Sequence, residues 1–257
     1  MSSRPRETEA PTFSGDVSRE TGTAPARRLI GVAAAHGVAL SPSDGGFLVA
    51  LLDRMSLETQ NLTAIDGIAQ GVDRHLADSI VGLVLDEIRG AATICDIGSG
   101  GGFPGLVLGR VCRNARVTLV ESERAKAKWL VRAAADSPNV RVVHDRSEHL
   151  ARRERESFDV VTARAVGALA VVLELAAPLT RVGGAAVLWR TVAEASQGHD
   201  DSNHLEAAQT LGFRHRATTE VMPFHGATRC LDVWEKIDLC PDKFPRRPGM
   251  ATKRPLG

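Results

Sequence analysis

Apolar residues recur at helical spacing in two stretches of the first third of the chain, Phe47, Leu48, Leu51, Leu52 and Met55, then Ile80, Leu83, Val84 and Ile88. This period predicts helices, and Gly90 supplies a stop signal. From residue 91 the pattern changes. Short apolar runs at Ala92–Ile97, Val117–Val120, Val140–Val143, Val160–Thr162 and Ala185–Leu188 read as strands, with helical stretches between them near 105–112, 124–135, 167–179 and 204–211. Such alternation predicts βαβ units and a parallel sheet with right-handed crossovers. Two further strand-like runs, Arg216–Val221 and Arg229–Lys236, are separated only by a turn around Phe224–Ala227. They predict an antiparallel hairpin closing one sheet edge. The expected fold class is α/β: a Rossmann-like, doubly wound, mostly parallel seven-stranded sheet with an antiparallel C-terminal hairpin and an N-terminal helical extension.

The ends differ from this middle. Residues 1–27 are rich in Ser, Thr, Pro, Arg and Glu and hold too little apolar surface to order themselves, so a tail is expected there. The organisation expected is therefore a polar tail (1–27), a helical segment (28–90), the α/β domain (91–240) and a basic tail (241–257). The net charge is +1, so any binding to nucleic acid must come from local patches. Cys95, Cys112, Cys230 and Cys240 have no CxxC spacing, which predicts free thiols and no metal site. No apolar run approaches the roughly 20 residues that span a bilayer, and no signal-peptide pattern opens the chain. A cytoplasmic protein without a membrane partner is expected, and nothing in the sequence calls for more than a monomer.

The chemistry concentrates in Asp96-Ile97-Gly98-Ser99-Gly100-Gly101-Gly102-Phe103-Pro104-Gly105, which follows a predicted strand and opens a predicted helix. Its glycines permit positive φ and a close approach of ligand to backbone, and helix N-terminal amides favour an anionic group. Gly100, Gly102 and Gly105 also fit a dinucleotide register, so the glycines alone do not choose the ligand. Asp96 does bear on the choice. A carboxylate just before the loop suits a ligand with an α-ammonium and a sulfonium, and it would repel a pyrophosphate, which favours S-adenosylmethionine. Its structural alternative is a helix-capping carboxylate. Glu121, at the end of the second strand, is placed for ribose hydroxyls of either ligand; otherwise it is a solvated strand end. Gly98, Ser99 and Gly100 are the expected cofactor contacts within the loop. Ser147 and Glu148, after the third strand, could meet the adenine edge, or belong to a charged loop.

Arg164 falls at the carboxyl end of the fourth strand, where α/β sheets bind ligands, and is the candidate catalytic residue as well as a cofactor contact. The segment Ala163-Arg164-Ala165-Val166 lacks the Asn/Asp-Pro-Pro-aromatic turn used for transfer to exocyclic amines, and no cysteine lies near it for attack on a pyrimidine. An sp² ring nitrogen such as guanine N7 carries its own lone pair and needs no base, so positioning can carry the catalysis.

Taken together these residues resemble the glucose-inhibited division protein B family, also called ribosomal RNA small subunit methyltransferase G. The resemblance runs from about residue 45 to 257. It includes Asn61-Leu62-Thr63, Arg74-His75-Leu76-Ala77-Asp78-Ser79, the Asp96–Gly105 loop, Glu121-Ser122 and Lys126-Ala127-Lys128-Trp129-Leu130. It continues through Arg146-Ser147-Glu148, Arg164-Ala165-Val166, Phe244-Pro245-Arg246-Arg247-Pro248-Gly249 and Lys253-Arg254-Pro255-Leu256. It implies N7 methylation of a guanine in the 530 loop of 16S rRNA, with S-adenosylmethionine as donor and 16S rRNA or the 30S subunit as partner. It also implies cofactor contacts at Gly98, Phe103, Ser147, Glu148 and Arg164; the role of Phe103, against the cofactor or gating its pocket, rests on the resemblance alone. Two positions depart from the family pattern. Trp189-Arg190-Thr191 stands where Lys-Gly is frequent, and Ala125 stands at the first residue of a basic pair, leaving Lys126.

Candidate RNA contacts are Arg74, His75, Lys126, Lys128, Arg246, Arg247, Lys253 and Arg254. With Lys243, Arg132 and Arg164 they could form a phosphate-binding surface sensitive to salt. The structural alternatives are a His75–Asp78 tie to the core and a solubilising C-terminal tail. Aromatic residues make up 4% of the chain, so base-stacking platforms are scarce. A methyltransferase for a small molecule or protein would share the cofactor half without needing the basic tail. A nicotinamide-dependent oxidoreductase and a non-catalytic binder that kept the fold are the readings from other classes.

Overall fold

The computed structural model describes residues 23–58, 62, 65, 67–199 and 202–256. Asn61, Thr63 and residues 1–22 of the expected N-terminal tail lie outside them. The first helix starts earlier than expected, at Ala24. Thr23 caps it, accepting a hydrogen bond from the Ala26 amide through Oγ1 (3.4 Å), and Pro25 suits the first turn. The helices are α1 (Ala24–Ala35), α2 (Pro42–Ser56), α3 (Ile68–Gly71), α4 (Asp78–Ile80), α5 (Asp86–Arg89), α6 (Gly105–Val111), α7 (Arg124–Ala133), α8 (Ser147–Arg153), α9 (Leu169–Ala176), α10 (Val192–His199), α11 (Ser202–Thr210) and α12 (Met250–Lys253). A π-helical turn, Val72–Ala77, joins α3 to α4.

Seven strands, β1 (Thr93–Ile97), β2 (Arg116–Glu121), β3 (Val140–His144), β4 (Phe158–Arg164), β5 (Thr180–Arg190), β6 (Phe213–Phe224) and β7 (Ala227–Lys236), form one sheet in the order β3-β2-β1-β4-β5-β7-β6. β1 to β5 are parallel and β7 runs antiparallel to β5 and β6, as the hydrophobic pattern predicted. The strand order reverses between β1 and β4. The carboxyl ends of these two strands therefore open a crevice, the place where doubly wound sheets hold ligands.

Alternate residues of each strand feed opposite faces. Ile94, Val117, Leu119, Val160, Val187 and Val233 pack under the N-terminal helices, α6 and α7. Cys95, Ile97, Val120, Val161, Leu188 and Trp234 pack against α8, α9 and α11. The N-terminal helices thus share their apolar cluster with the sheet. Asp44 of α2 fastens that layer through ion pairs with Arg110 and Arg113 (both 2.6 Å).

Residues 241–256, the basic C-terminal segment, run as a strap packed on the domain. Phe244 is 1% exposed and joins the second apolar cluster. The carbonyl of Phe244 accepts from Arg155 Nη1 (2.7 Å). Arg246 forms a forked ion pair with Glu174 of α9, its Nε 2.6 Å from Oε1. One buried aromatic and a chain of guanidinium contacts hold a segment rich in Pro, Arg and Lys.

Candidate active site

The loop after β1 is built from beneath by two carboxylates. Asp96 is 1% exposed; its Oδ1 accepts from Thr162 Oγ1 (2.8 Å) and its Oδ2 from the Gly105 amide (3.3 Å). Burial pushes its carboxyl up to about 6, against hydrogen bonds from Thr162, Ser99 and Gly105 that lower it. These hydrogen bonds tie Asp96 to the sheet and to the start of α6, so it caps and braces the loop expected to hold the cofactor. Ser99 is likewise turned inward, its hydroxyl donating to the Asp96 carbonyl (2.8 Å). Glu121 reaches across from β2, accepting from the Gly100 amide at Oε2 (2.9 Å) and from the Glu123 amide at Oε1 (2.7 Å). Each of its oxygens keeps a second lone pair for a hydroxyl.

Phe103 is buried and stacks on His75, with ring centroids 4.6 Å apart and planes 8° from parallel. It lines neither cavity described below. His75 is itself buried; desolvation and the neighbouring Arg164 bring its imidazole down to about 4. It is therefore neutral at physiological pH, and it lines the second cavity described below.

Two cavities open at the carboxyl ends of the strands. The first, of about 310 Å³, is lined by Gly98, Val120, Ser122, Ser147, Glu148 and residues of the β3–α8 and β4–α9 loops, with Val171 and Leu175 of α9 and Thr252 of the strap. The second, of about 480 Å³, lies over β4 and β5 and is lined by Arg74, His75, Asp78, Arg164, Trp189, Arg190, Glu194 and Arg229, among others. Ala165 and Val166 line both. Ala165 takes φ +55, a conformation costly for a residue with a Cβ, so the junction of the cavities carries local backbone strain.

Arg164 lies at that junction. Its Nη1 pairs with Asp78 Oδ2 (2.7 Å) and donates to the Arg74 carbonyl (3.1 Å), its Nη2 is 3.3 Å from His75 Nδ1, and its guanidinium lies 5.8 Å from the Phe103 centroid. Asp78, almost fully buried, pairs on its other oxygen with Arg229 Nε (2.7 Å). Arg74 and Asp78 stand at positions i and i+4, which share one face of a regular α-helix. They do flank the same cavity, but through the wider π-helical turn.

Arg190 stands where the family favours lysine, and it is committed to the buried Asp232 (2.8 Å) and to the Glu194 carbonyl. Trp189 donates to the Asp78 carbonyl (2.7 Å), and its ring fills the space where a Cβ on Gly82 would lie 2.3 Å away. The unusual Trp-Arg-Thr sequence is thereby accommodated.

Of the predicted site residues, Gly98, Ser147 and Glu148 line the first cavity and Arg74, His75 and Arg164 the second. Asp96, Ser99, Gly100, Phe103 and Glu121 shape the loop between them. Lys126 is paired with Glu123 (2.7 Å) on α7, and Lys128, Arg247, Lys253 and Arg254 are exposed. Arg246 is held by Glu174. Arg229, Glu194 and Thr252 were missed. For Arg229 a signal existed: in an antiparallel return strand, β7 register places Cys230 opposite Arg190, so Arg229 falls at the carboxyl end of β5.

The first cavity suits a purine nucleoside with a cationic side chain. Gly98 (φ +65) gives a bare backbone edge, Ser147 and Glu148 give polar groups, and Val120, Val166 and Val171 give apolar walls for a flat ring. Among the described residues no cluster of His, Cys, Asp and Glu has the arrangement of a metal site, and no helix is long and apolar enough to cross a membrane.

A family model described as GidB, rRNA small subunit methyltransferase G, matches residues 48–222. The chain is 37% identical over 240 residues to the Ribosomal RNA small subunit methyltransferase G of Chloroflexus aggregans, an alignment covering 90% of this chain and 98% of that one. The protein of the same name from Thermotoga neapolitana is 33% identical over 211 residues, covering 80% and 88%. That from Geobacillus kaustophilus is 34% identical over 204 residues, covering 77% and 84%. A matched domain that contains the loop, both cavities' strand ends and Arg164, together with near end-to-end similarity to such relatives, leaves one assignment: the chain belongs to the rRNA small subunit methyltransferase G family.

Proposed function

We propose that this protein transfers a methyl group from S-adenosylmethionine to N7 of a guanine in the 530 loop of 16S rRNA, acting as a monomer on RNA presented by the 30S subunit. The observation that carries the reading is the pair of cavities meeting at Ala165–Val166, one fitted to a nucleoside and the other lined by four guanidinium groups, Arg74, Arg164, Arg190 and Arg229. A cationic second cavity suits a polyanionic substrate.

When bound, the cofactor supplies an electrophilic methyl on a sulfonium. The Gly98 backbone, Ser147 and Glu148 would hold it in the first cavity, with Glu121 toward the ribose. Arg164, anchored on Asp78, orients the guanine or its phosphate at the junction and keeps its charge there through the turnover. The two carboxylates lining the second cavity are already engaged, Asp78 with Arg164 and Arg229, Glu194 with the Thr191 amide (2.7 Å). His75 is neutral and hydrogen-bonded to Arg164. Among the described residues no group is thus poised to remove a proton, and a ring nitrogen with a free lone pair needs none. Alignment of N7 with the methyl can then supply on the order of 7–11 kcal/mol of the barrier. Arg74, Lys126, Lys128, Arg247, Lys253 and Arg254 would meet phosphates around the site.

The test is methyl transfer from labelled S-adenosylmethionine to 30S subunits and to free 16S rRNA from a strain lacking the endogenous enzyme, with the product cleaved chemically at N7-methylguanine. Cleavage at one guanine of the 530 loop is expected. Label on another atom, or transfer only to a small molecule or protein, overturns the assignment.

A further inference from the structure

The strap does more than pack against the back of the domain. Beyond its buried anchor Phe244, it is held by two carboxylates on different helices. Glu174 of α9, 2% exposed, takes the forked pair from Arg246. Glu148 of α8, 5% exposed, accepts from the Gly249 amide through Oε1 (2.9 Å). These helices are two walls of the first cavity: Ser147 and Glu148 line it from α8, Val171 and Leu175 from α9. Thr252, on the strap itself, completes the lining. Arg246 also donates through Nη2 to the Arg254 carbonyl (2.7 Å), folding the strap back on itself around the four-residue helix α12. A helix that short has no stability of its own in water. Its position depends on these ties. Gly249 takes φ +78, so glycine is required where the strap turns to offer its amide to Glu148.

We infer that residues 246–254 form a strap whose docking completes the cofactor cavity, with Glu148 and Glu174 joining both walls to it. The inference rests on the reading that this cavity takes the cofactor. Glu148 then acts chiefly as a positioning residue, because its Oε1 holds the strap. Closing the cavity and binding the nucleoside reinforce each other by thermodynamic necessity: whatever the docked strap adds to cofactor affinity, bound cofactor adds to the docking of the strap. The exposed Arg247, Lys253 and Arg254 ride on the same segment, so the element that shuts the cofactor in also carries cations to the rim where RNA would arrive.

S-adenosylhomocysteine serves as probe for the test, titrated by calorimetry into the full-length protein and into Arg246→Gln, Arg246→Lys and Gly249→Pro. Proline at 249 removes the donor and cannot take the positive φ, and it does so at the surface, leaving Phe244 and the sheet intact. Gly249→Pro and Arg246→Gln are expected to weaken binding roughly 5- to 150-fold, the usual span of such couplings, while Arg246→Lys retains most of the affinity. Hydrogen exchange of residues 247–254 in the wild-type protein is expected to slow when the probe is added. Wild-type binding with Gly249→Pro unaffected, or a strap whose exchange ignores the probe, overturns the strap and leaves the cofactor assignment standing. Failure of the wild-type protein to bind the probe at all overturns the cofactor assignment first.

Discussion

A methyl group added to Gly98 would lie 2.9 Å from Cγ2 of Val166, across the mouth of the cofactor cavity. Gly98 also takes φ +65. Gly98→Ala therefore meets two costs, about 1–2 kcal/mol for the left-handed backbone and a contact that pushes Val166 toward the junction of the cavities. Loss of S-adenosylhomocysteine binding by tenfold or more is expected by calorimetry, with the domain still folded. Adding Val166→Ala relieves the contact but not the backbone strain, so the double variant should recover part of the affinity. An unchanged affinity for Gly98→Ala would show that this loop does not cradle the cofactor.

Arg164 and Arg229 share the buried carboxylate of Asp78, one on each oxygen. Removing Arg164 leaves Asp78 with one partner in place of two, so Arg164→Ala should lower stability, toward the small end of the roughly 3–5 kcal/mol that breaking a buried pair costs. Methylation of 30S subunits, measured well below the unfolding temperature, should fall on the order of 100-fold, as expected when a reacting group is misplaced by about 1 Å. RNA affinity should fall much less, because one cation among many is lost. Equal and small losses in both assays would remove Arg164 from the reaction.

The stack of His75 on Phe103 has a signature in pH. The folded imidazole titrates at about 4, while the unfolded chain takes its proton near 6.5. As pH falls below 6.5 the unfolded state binds a proton that the folded state refuses, so this residue's contribution is full above 6.5 and declines until about 4, by an amount on the order of 3 kcal/mol. Asp96 slopes the other way. Its folded carboxyl titrates at about 6 against an ordinary 3.8, so it loses stability as pH rises through that window. The two nearly offset in the wild-type protein between pH 4 and 6. His75→Phe keeps the stack and deletes the first slope, so denaturant unfolding of this variant should show it losing less stability than the wild-type protein as pH falls from 6 to 4. A wild-type-like profile would mean that His75 is not held neutral.

The architecture was legible because strands of a doubly wound sheet announce themselves as apolar runs, and the loop after β1 because its glycines cluster. α8 was not legible as a helix: its only buried apolar residues are Leu150 and Ala151, too few for an amphipathic pattern. The strap was missed for a related reason. Phe244, Ala251 and Leu256 are its scattered apolar contacts, and the rest of its order comes from ion pairs and main-chain hydrogen bonds that leave no periodic trace in the sequence. Residue type placed Asp96 near the ligand, but it could not say which way the carboxylate turns. That was decided by Thr162, two strand positions before Arg164 and directly beside Asp96 in the β1–β4 pairing.

Arg246 and Arg247 are neighbours with opposite commitments, and they offer the sharpest test of the RNA surface. Arg246 is spent on Glu174, whereas Arg247 is exposed and has freedom to reach a phosphate. Counterion release makes each phosphate contact visible as roughly one unit of slope in the logarithm of affinity against the logarithm of salt. Arg247→Ala should weaken binding to 16S rRNA fragments at low salt, flatten that slope by about one, and leave thermal stability unchanged. Arg246→Ala should lower thermal stability and, in the temperature range where the strap stays docked, leave the salt slope as it is. The reverse pattern, a flatter slope for Arg246→Ala and none for Arg247→Ala, would mean that the Glu174 pair opens to RNA and that the phosphate-binding face has been drawn on the wrong side of the strap.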